Sequence, residues 1–385
     1  MKNPTLRGIT WNHSRALPPL VAAAQRFEES HPNVRILWEK RSLHEFGHSS
    51  LAELAHTFDL LVVDHPMMGE AKDVLVNVRP SLSSADWDDL RNDSAGKSFD
   101  SYVYEDALYA LPIDAAAPAA SCRMDLLEAA GLHVPTGWSE LLDLARRKLV
   151  RMPGFPADLF LNFIGMCVSR GSTVATGDSE LLDRTIALQS LEELRELAST
   201  MPGAIYDWNP IALYEHMAST DDFAYCPFAY SYNNYSRAGF AARQLRFALP
   251  VTLAGGAAMQ TVLGGTGLAI STSCQAPKVA LDYSLYVAGR NCQSNLYGIS
   301  GGQPARRSAW QNPVLNQLTD GFFERTLPGI DAAYVRPRYR GYVALQEQAG
   351  TPIVRYLRDG GHPAQALDTI DSLFRSSLSQ KVQHA

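Results

Sequence analysis

The chain has 385 residues, 46% of them hydrophobic and 19% charged, with 34 Lys and Arg against 40 Asp and Glu for a formal net charge of -6. At roughly 150 residues per domain this length allows two or three units with cores of their own, which excludes a small scaffold stapled by disulfides or metal, and the apolar content excludes a largely disordered chain. The acidic balance argues against nucleic acid or an anionic membrane as the main partner, so any basic site must be local. Cys122, Cys167, Cys226, Cys274 and Cys292 stand far apart without a CxxC pair. Neither a zinc ribbon nor a dithiol motif is therefore present, and the odd count leaves at least one thiol unpaired in a monomer.

The first residues carry no basic, apolar and small-residue succession of the kind a secretory leader needs. Residues 6–11 read directly as a strand. No stretch approaches the ~18 uninterrupted apolar residues of a membrane span. The expectation is a soluble protein, cytoplasmic or secreted and written in mature form behind an added Met1. Leu17, Pro18 and Pro19 open an amphipathic helix with Leu20, Ala23, Ala24 and Phe27 on one face, and His31-Pro32 stops it. Residues 34–39 read as a second strand and residues 58–63 as a buried third, ending in Asp64-His65-Pro66. Strand, helix and strand again predict a parallel α/β sheet. Residues 102–104 and 107–112 are expected to pair around Glu105-Asp106. Helices are predicted over 138–149, 180–199 and 210–219, with a Gly- and Pro-rich interruption near 151–156. Residues 223–227 predict a strand that leads into an aromatic loop over 228–235. A glycine cluster, Gly264 to Gly267, precedes an apolar strand, and helices are expected from Pro277 to Tyr286 and over 365–376.

Two motifs bear on chemistry. His44-Glu45-Phe46-Gly47-His48 fits HExxH, where two imidazoles one turn apart bind zinc and the glutamate acts as base. Gly47 weakens a helix there by about 1 kcal/mol relative to Ala, no third ligand is evident, and a solvated short helix is the plainer expectation, so His44 and His48 are weak metal candidates. Arginines gather near the carboxyl end at Arg336, Arg338 and Arg340, with Arg306 and Arg307 upstream. Guanidinium groups suit a carboxylate or phosphate, unless they pair with surface acids. The phosphate-binding P-loop and the dinucleotide fingerprint are missing from the sequence. Cys226, at a strand end, is expected to be buried and inert.

The opening strand and helix, the YALPID sequence around Pro112, residues 123–146, the GGTGLAIS run from Gly264 and the SGGQPARRSAW run from Ser300 together resemble the extracellular solute-binding proteins of ABC importers, of the sugar-binding type similar to the maltose-binding protein family. The resemblance spans nearly the whole chain in order. It implies an α/β, two-lobed, type II periplasmic-binding-protein-like fold with hinge strands and a ligand cleft. Lobe 1 is expected over 1–113 and 267–323, and lobe 2 over 114–266 and 324–385. The hinge crossings would be at 113–115, at 265–267 and near 322–327.

In an open parallel sheet, ligands gather beyond the carboxyl ends of the strands. Trp11 and His13 end the first strand and Asp64 and His65 the third, while Asp114 sits at the expected hinge; with Tyr230 and Tyr232 these offer hydrogen bonds and stacking faces. Core packing is the alternative for the aromatics, and a cap or turn for Asp64 and His65. The arginine cluster adds Arg336 to the candidate ligand residues, and the resemblance adds Gly265, Gln303 and Tyr339, with Tyr342 as the alternative aromatic platform.

The reading is a binding protein for a small polar or anionic solute, a saccharide, sugar acid or other carboxylate, that works by hinge closure for ABC-type uptake. It has no expected cofactor or catalytic residue and is expected to be a monomer serving an ABC permease. Its expected place is periplasmic or extracellular, with no nucleic acid partner. The alternatives are a cytoplasmic enzyme or ligand sensor on the same fold, with His13, Asp64, His65 or Asp114 as acid and base, and a zinc peptidase.

Overall fold

The computed structural model describes residues 4–43, 45 and 50–382. His44 and His48 lie outside the described residues. Ten strands are present among them: β1 (Thr5–Trp11), β2 (Arg35–Arg41), β3 (Leu60–Val63), β4 (Val103–Tyr104), β5 (Ala107–Leu108), β6 (Ala110–Ala116), β7 (Pro118–Cys122), β8 (Tyr225–Tyr230), β9 (Arg246–Ala248) and β10 (Gly264–Ile270). The chain forms two compact units. Unit 1 contains residues 1–116, 232–234 and 263–331, and unit 2 contains 117–231, 235–262 and 332–385.

Unit 1 is built on a five-stranded sheet in the order β2-β1-β3-β10-β6. β1 runs parallel to β2 along its whole length and parallel to β3. The parallel expectation holds for these three strands, but β10 inserts antiparallel between β3 and β6 and makes the sheet mixed. The side chains of β3 are buried along its length, as the continuous apolar run requires of a strand covered on both faces. The helix Leu17–Ser30 buries Leu20, Ala23, Ala24 and Phe27 on the face that the sequence spacing marks. The turn at Glu105 and Asp106 takes positive φ at both residues and joins the short hairpin of β4 and β5, while β6 follows as a separate strand.

Unit 2 carries an antiparallel sheet in the order β8-β7-β9 and a helical core. The helix Pro156–Ser169, which the sequence pattern does not mark, buries Phe160, Phe163 and Ile164 against Leu191 and Leu194 of the helix Arg184–Ala198 and Ile353 and Leu357 of the helix Tyr342–Asp359. A helix packed on most of its faces has no amphipathic period to detect. Helix Tyr342–Asp359 contains both Gly350 and Pro352, which read as breakers. Gly350 is required because a Cβ there would overlap the Pro156 carbonyl.

The unit borders differ from the expected lobes. Asp114 belongs to β6 and residues 264–266 to β10, so the paired strands keep both in unit 1. Residues 324–331 stay there too, within the helix Phe322–Ala332. Tyr232–Asn234 are a further short portion of unit 1. Among the described residues, no helix is long and apolar enough to cross a membrane.

Two stability outcomes follow. Gly350→Ala is expected to lower unfolding free energy by about 1 to 3 kcal/mol through overpacking, whereas Gly177→Ala, where a Cβ meets nothing within 4 Å, should change it by less than about 0.5 kcal/mol; thermal denaturation of the two variants checks this. Burial pushes the Asp158 carboxyl, in the first turn of helix Pro156–Ser169, up from 3.8 to about 7. Its ionisation therefore opposes folding as pH rises from 3.8 through 7, and Asp158→Asn should be neutral near pH 4 but stabilise by about 2 to 4 kcal/mol at pH 8. Denaturant melts at the two pH values measure this; equal effects at both would remove the burial argument.

Candidate functional site

Of the ten ligand candidates, Trp11, His13, Asp64, His65, Asp114, Gly265 and Gln303 fall in unit 1, and Tyr230, Arg336 and Tyr339 in unit 2. The unit 1 group is held together by a residue that the sequence does not single out, Arg15. It lies in the turn between β1 and the helix Leu17–Ser30, where the backbone N–H groups of Ala16 and Leu17 bond to the His13 carbonyl. Arg15 and Asp114 are both buried. Arg15 Nε donates to Asp114 Oδ2 at 2.8 Å, and its Nη2 donates to Oδ1. Burial opposes the charge on Arg15, but the attraction and hydrogen bonds of Asp114 outweigh it and hold the guanidinium firmly protonated. The ring of Tyr232 lies 4.7 Å from the guanidinium carbon and that of Trp11 6.0 Å, distances at which a cation is attracted to an aromatic face. Tyr297, at the end of the π-helical segment Cys292–Tyr297, is buried beside the same pair.

His13 is partly exposed and meets Tyr232 edge-on at 4.6 Å. Its Nδ1 accepts the Arg15 backbone N–H at 2.9 Å, which assigns the ring proton to Nε2. Burial, and then the Arg15 charge, lower its pKa to about 3. At neutral pH this ring is a hydrogen-bond donor and a poor general base. Asp64 also occupies the structural role foreseen as the alternative: it caps the short 3-10 helix His65–Met67, its Oδ1 accepting the His65 N–H at 2.8 Å. It remains partly exposed at the carboxyl end of β3 and near enough to Asp114 to act on that carboxyl. His65 is buried and faces the edge of Tyr102.

Two unit 1 candidates have framework roles. Gly265 has φ +102°, and a Cβ there would overlap the Asp114 carbonyl, so glycine is needed for β10 to pass β6. Gln303 is buried with both amide atoms engaged: Oε1 accepts the Asn233 N–H at 3.1 Å and Nε2 donates to the Ala115 carbonyl at 2.9 Å.

In unit 2, Tyr230 ends β8 and, with Tyr334, Arg336 and Tyr339, lies around the buried phenol of Tyr342. Tyr339 packs on Tyr342 at a ring separation of 5.8 Å and bonds Ser377 at 2.8 Å. Arg336 is buried and donates to Gln346 Oε1 at 2.9 Å. The arginines grouped by sequence divide between the two units, Arg306 and Arg307 in unit 1 and Arg336, Arg338 and Arg340 in unit 2. Arg306 bonds Asp89 at 2.9 Å and Arg307 pairs with Asp331, both within unit 1. The Cys226 thiol is buried and pushed up to about 12, as an inert cysteine would be.

Arg15, Asn233 and Asn234 escape sequence reasoning because their partners are remote: Arg15 meets Asp114 across 99 positions. The only local hint is an arginine following the polar end of a buried strand.

No family model matches the chain, and no curated protein sequence does. Solved structures do match it. A maltose-bound MalE3 of T. maritima has a TM-score of 0.83 at 18% identity, with 97% of this chain and 99% of that chain covered. An ABC transporter solute-binding protein of Agrobacterium radiobacter in complex with ribitol gives 0.81 at 19% identity, over 97% and 99%. An ABC substrate-binding protein of Listeria monocytogenes in complex with cycloalternan gives 0.82 at 13% identity, over 98% and 100%. The chain therefore has the two-lobed type II periplasmic-binding-protein fold shared by these sugar-type solute-binding proteins.

The ion pair generates a stability prediction. Asp114→Asn, which leaves the Arg15 charge buried without its counter-ion, should cost about 3 to 5 kcal/mol, while Arg15→Met combined with Asp114→Leu should recover most of that loss. Chemical denaturation of the three chains measures it.

Proposed function

We propose that this protein is the solute-binding component of an ABC-type importer and captures a neutral sugar or polyol by hinge closure, working outside the cytoplasmic membrane with a permease as partner. The observation that carries this reading is the match to sugar- and polyol-binding structures over nearly the full length of both chains. The unit 1 cluster supports it chemically. At the carboxyl ends of parallel strands it presents a partly exposed carboxylate, Asp64, and a neutral imidazole N–H donor, His13, beside the rings of Trp11 and Tyr232. Hydroxyls need such donors and acceptors, and the buried rings of Trp11 and Tyr232 back them from within the unit.

The same observations favour a neutral solute over the anionic one that the arginine content suggested. Arg15, Arg306 and Arg307 are each committed to carboxylates of unit 1. An incoming anion would have to displace a buried or bonded acid. For an acid–base enzyme the chemistry is unfavourable, because His13 stays uncharged down to about pH 3 and its Nδ1 is occupied.

Thermal-shift screening followed by calorimetry, with aldoses, disaccharides, hexitols and pentitols set against sugar acids and dicarboxylates, tests the reading. A neutral sugar or polyol should raise the apparent melting temperature in a concentration-dependent way, and His13→Ala should weaken it by about tenfold, the loss of one hydrogen bond to a buried solute. A response confined to anions would overturn the neutral solute. Silence across every class would overturn the transport reading.

A further inference from the structure

We propose that Asn233 is a positioning residue for the solute surface of unit 1: clasped by Gln303 and the Gly301-Gly302 carbonyls, it holds the ring of Tyr232 over Arg15. The proposal rests on reading unit 1 as solute-binding. Residues 232–234 are a three-residue portion of unit 1 between two stretches of unit 2. On either side the chain is fastened within unit 2, with Ser231 Oγ donating to the Ala117 carbonyl at 3.1 Å and the Tyr235 hydroxyl to Glu215 Oε1 at 2.7 Å.

Within unit 1 the fastening is dense. The Asn233 backbone N–H donates to Gln303 Oε1 at 3.1 Å, and its Nδ2 lies 3.2 Å from the Gly301 carbonyl and 3.1 Å from that of Gly302. Asn234 Nδ2 donates to the Gly301 carbonyl at 3.2 Å. Gly301 adopts φ +105°, and a Cβ there would come within 2.9 Å of both Asn234 Nδ2 and the Ser14 carbonyl oxygen, so the clasp closes only around glycine. Gln303 is anchored in turn on Ala115, the residue after Asp114, by two bonds: Nε2 to the Ala115 carbonyl and the Ala115 N–H to its own carbonyl.

The mechanical consequence is specific. The Asn233 N–H belongs to the peptide plane that joins it to Tyr232, so the Gln303 bond sets ψ of Tyr232, and that N–H stays aimed at Gln303 only while the two bonds from Nδ2 hold Asn233 in place. One frame then holds the carboxylate through Ala115 and the aromatic ring through Asn233. With the frame closed, Tyr232 covers Arg15 and packs on His13. With it open, the ring is released, and water reaches the guanidinium and the imidazole.

The test is a double-mutant cycle on solute affinity, joined to a measurement that needs no solute. Asn233→Leu, close to asparagine in shape, removes the side-chain donors with little change of volume, and Tyr232→Leu removes the ring; far-UV circular dichroism checks that each variant folds. With the sugar or polyol found in the panel, each single change should weaken binding about tenfold or more. The pair should weaken it no further than Tyr232→Leu alone, because Asn233 acts through that ring. Additive losses, or an Asn233→Leu chain that binds within twofold of the parent, overturn the proposal. In the solute-free arm, the NMR shift of the His13 ring is followed from pH 4 to 8. It should stay flat in the parent and titrate in Asn233→Leu, moving toward the ordinary histidine range as water enters. A ring that is flat in both chains overturns the clasp. If no solute in the panel binds, the functional reading fails while this arm still decides the clasp.

Discussion

The Arg15–Asp114 pair is the constraint on which unit 1 turns. Two opposite charges withdrawn from water are tolerable only with close, well-directed contact, and losing either one leaves the other stranded. Such a pair does little for net stability, yet it dictates geometry strictly. It sets the turn after β1 against β6, fixes the imidazole of His13 through the Arg15 backbone, and gives the rings of Trp11 and Tyr232 a cation to face. Gln303 ties Ala115, one residue along from the carboxylate, to the segment that carries Tyr232. The polar surface at the carboxyl ends of β1 and β3 is thus a by-product of satisfying one buried charge.

What could be read from the sequence follows the range of the interactions involved. The helix Leu17–Ser30 and strand β3 were legible because amphipathic spacing and an unbroken apolar run are local signals. Asp64 was legible both as a strand end and as a cap, and it is both. The helix Pro156–Ser169 was not, since burial on most faces erases the period, and Tyr342–Asp359 was masked by a proline and by a glycine whose reason lies in another helix. Arg15 was invisible because its meaning comes from a carboxylate far along the chain. Gln303 was a ligand candidate through the resemblance of the run from Ser300, and only the fold reveals that both its amide atoms are bonded within the framework.

The arginines teach a related lesson about charge. Counted along the chain they suggested an anion site, but Arg306 and Arg307 meet aspartates brought near by folding, and Arg336 is buried in the other unit beside tyrosines. Composition reports how many charges exist. Pairing determines how many are left to act on a ligand, and in unit 1 both Arg306 and Arg307 are bonded to aspartates.

The antiparallel strand β10 has a consequence for how the molecule comes into being. It fills the gap between β3 and β6, yet it lies about 200 residues beyond β3 in the chain. At roughly 5 to 20 residues per second of synthesis, the edge of β3 would wait on the order of 10 to 40 s for its partner, and that of β6 on the order of 7 to 30 s. Open hydrogen-bonding edges of this kind invite wrong pairing. The sheet of unit 1 cannot close until the ribosome has passed residue 270, which leaves an extended window in which a chaperone can cover the open edges of the nascent chain.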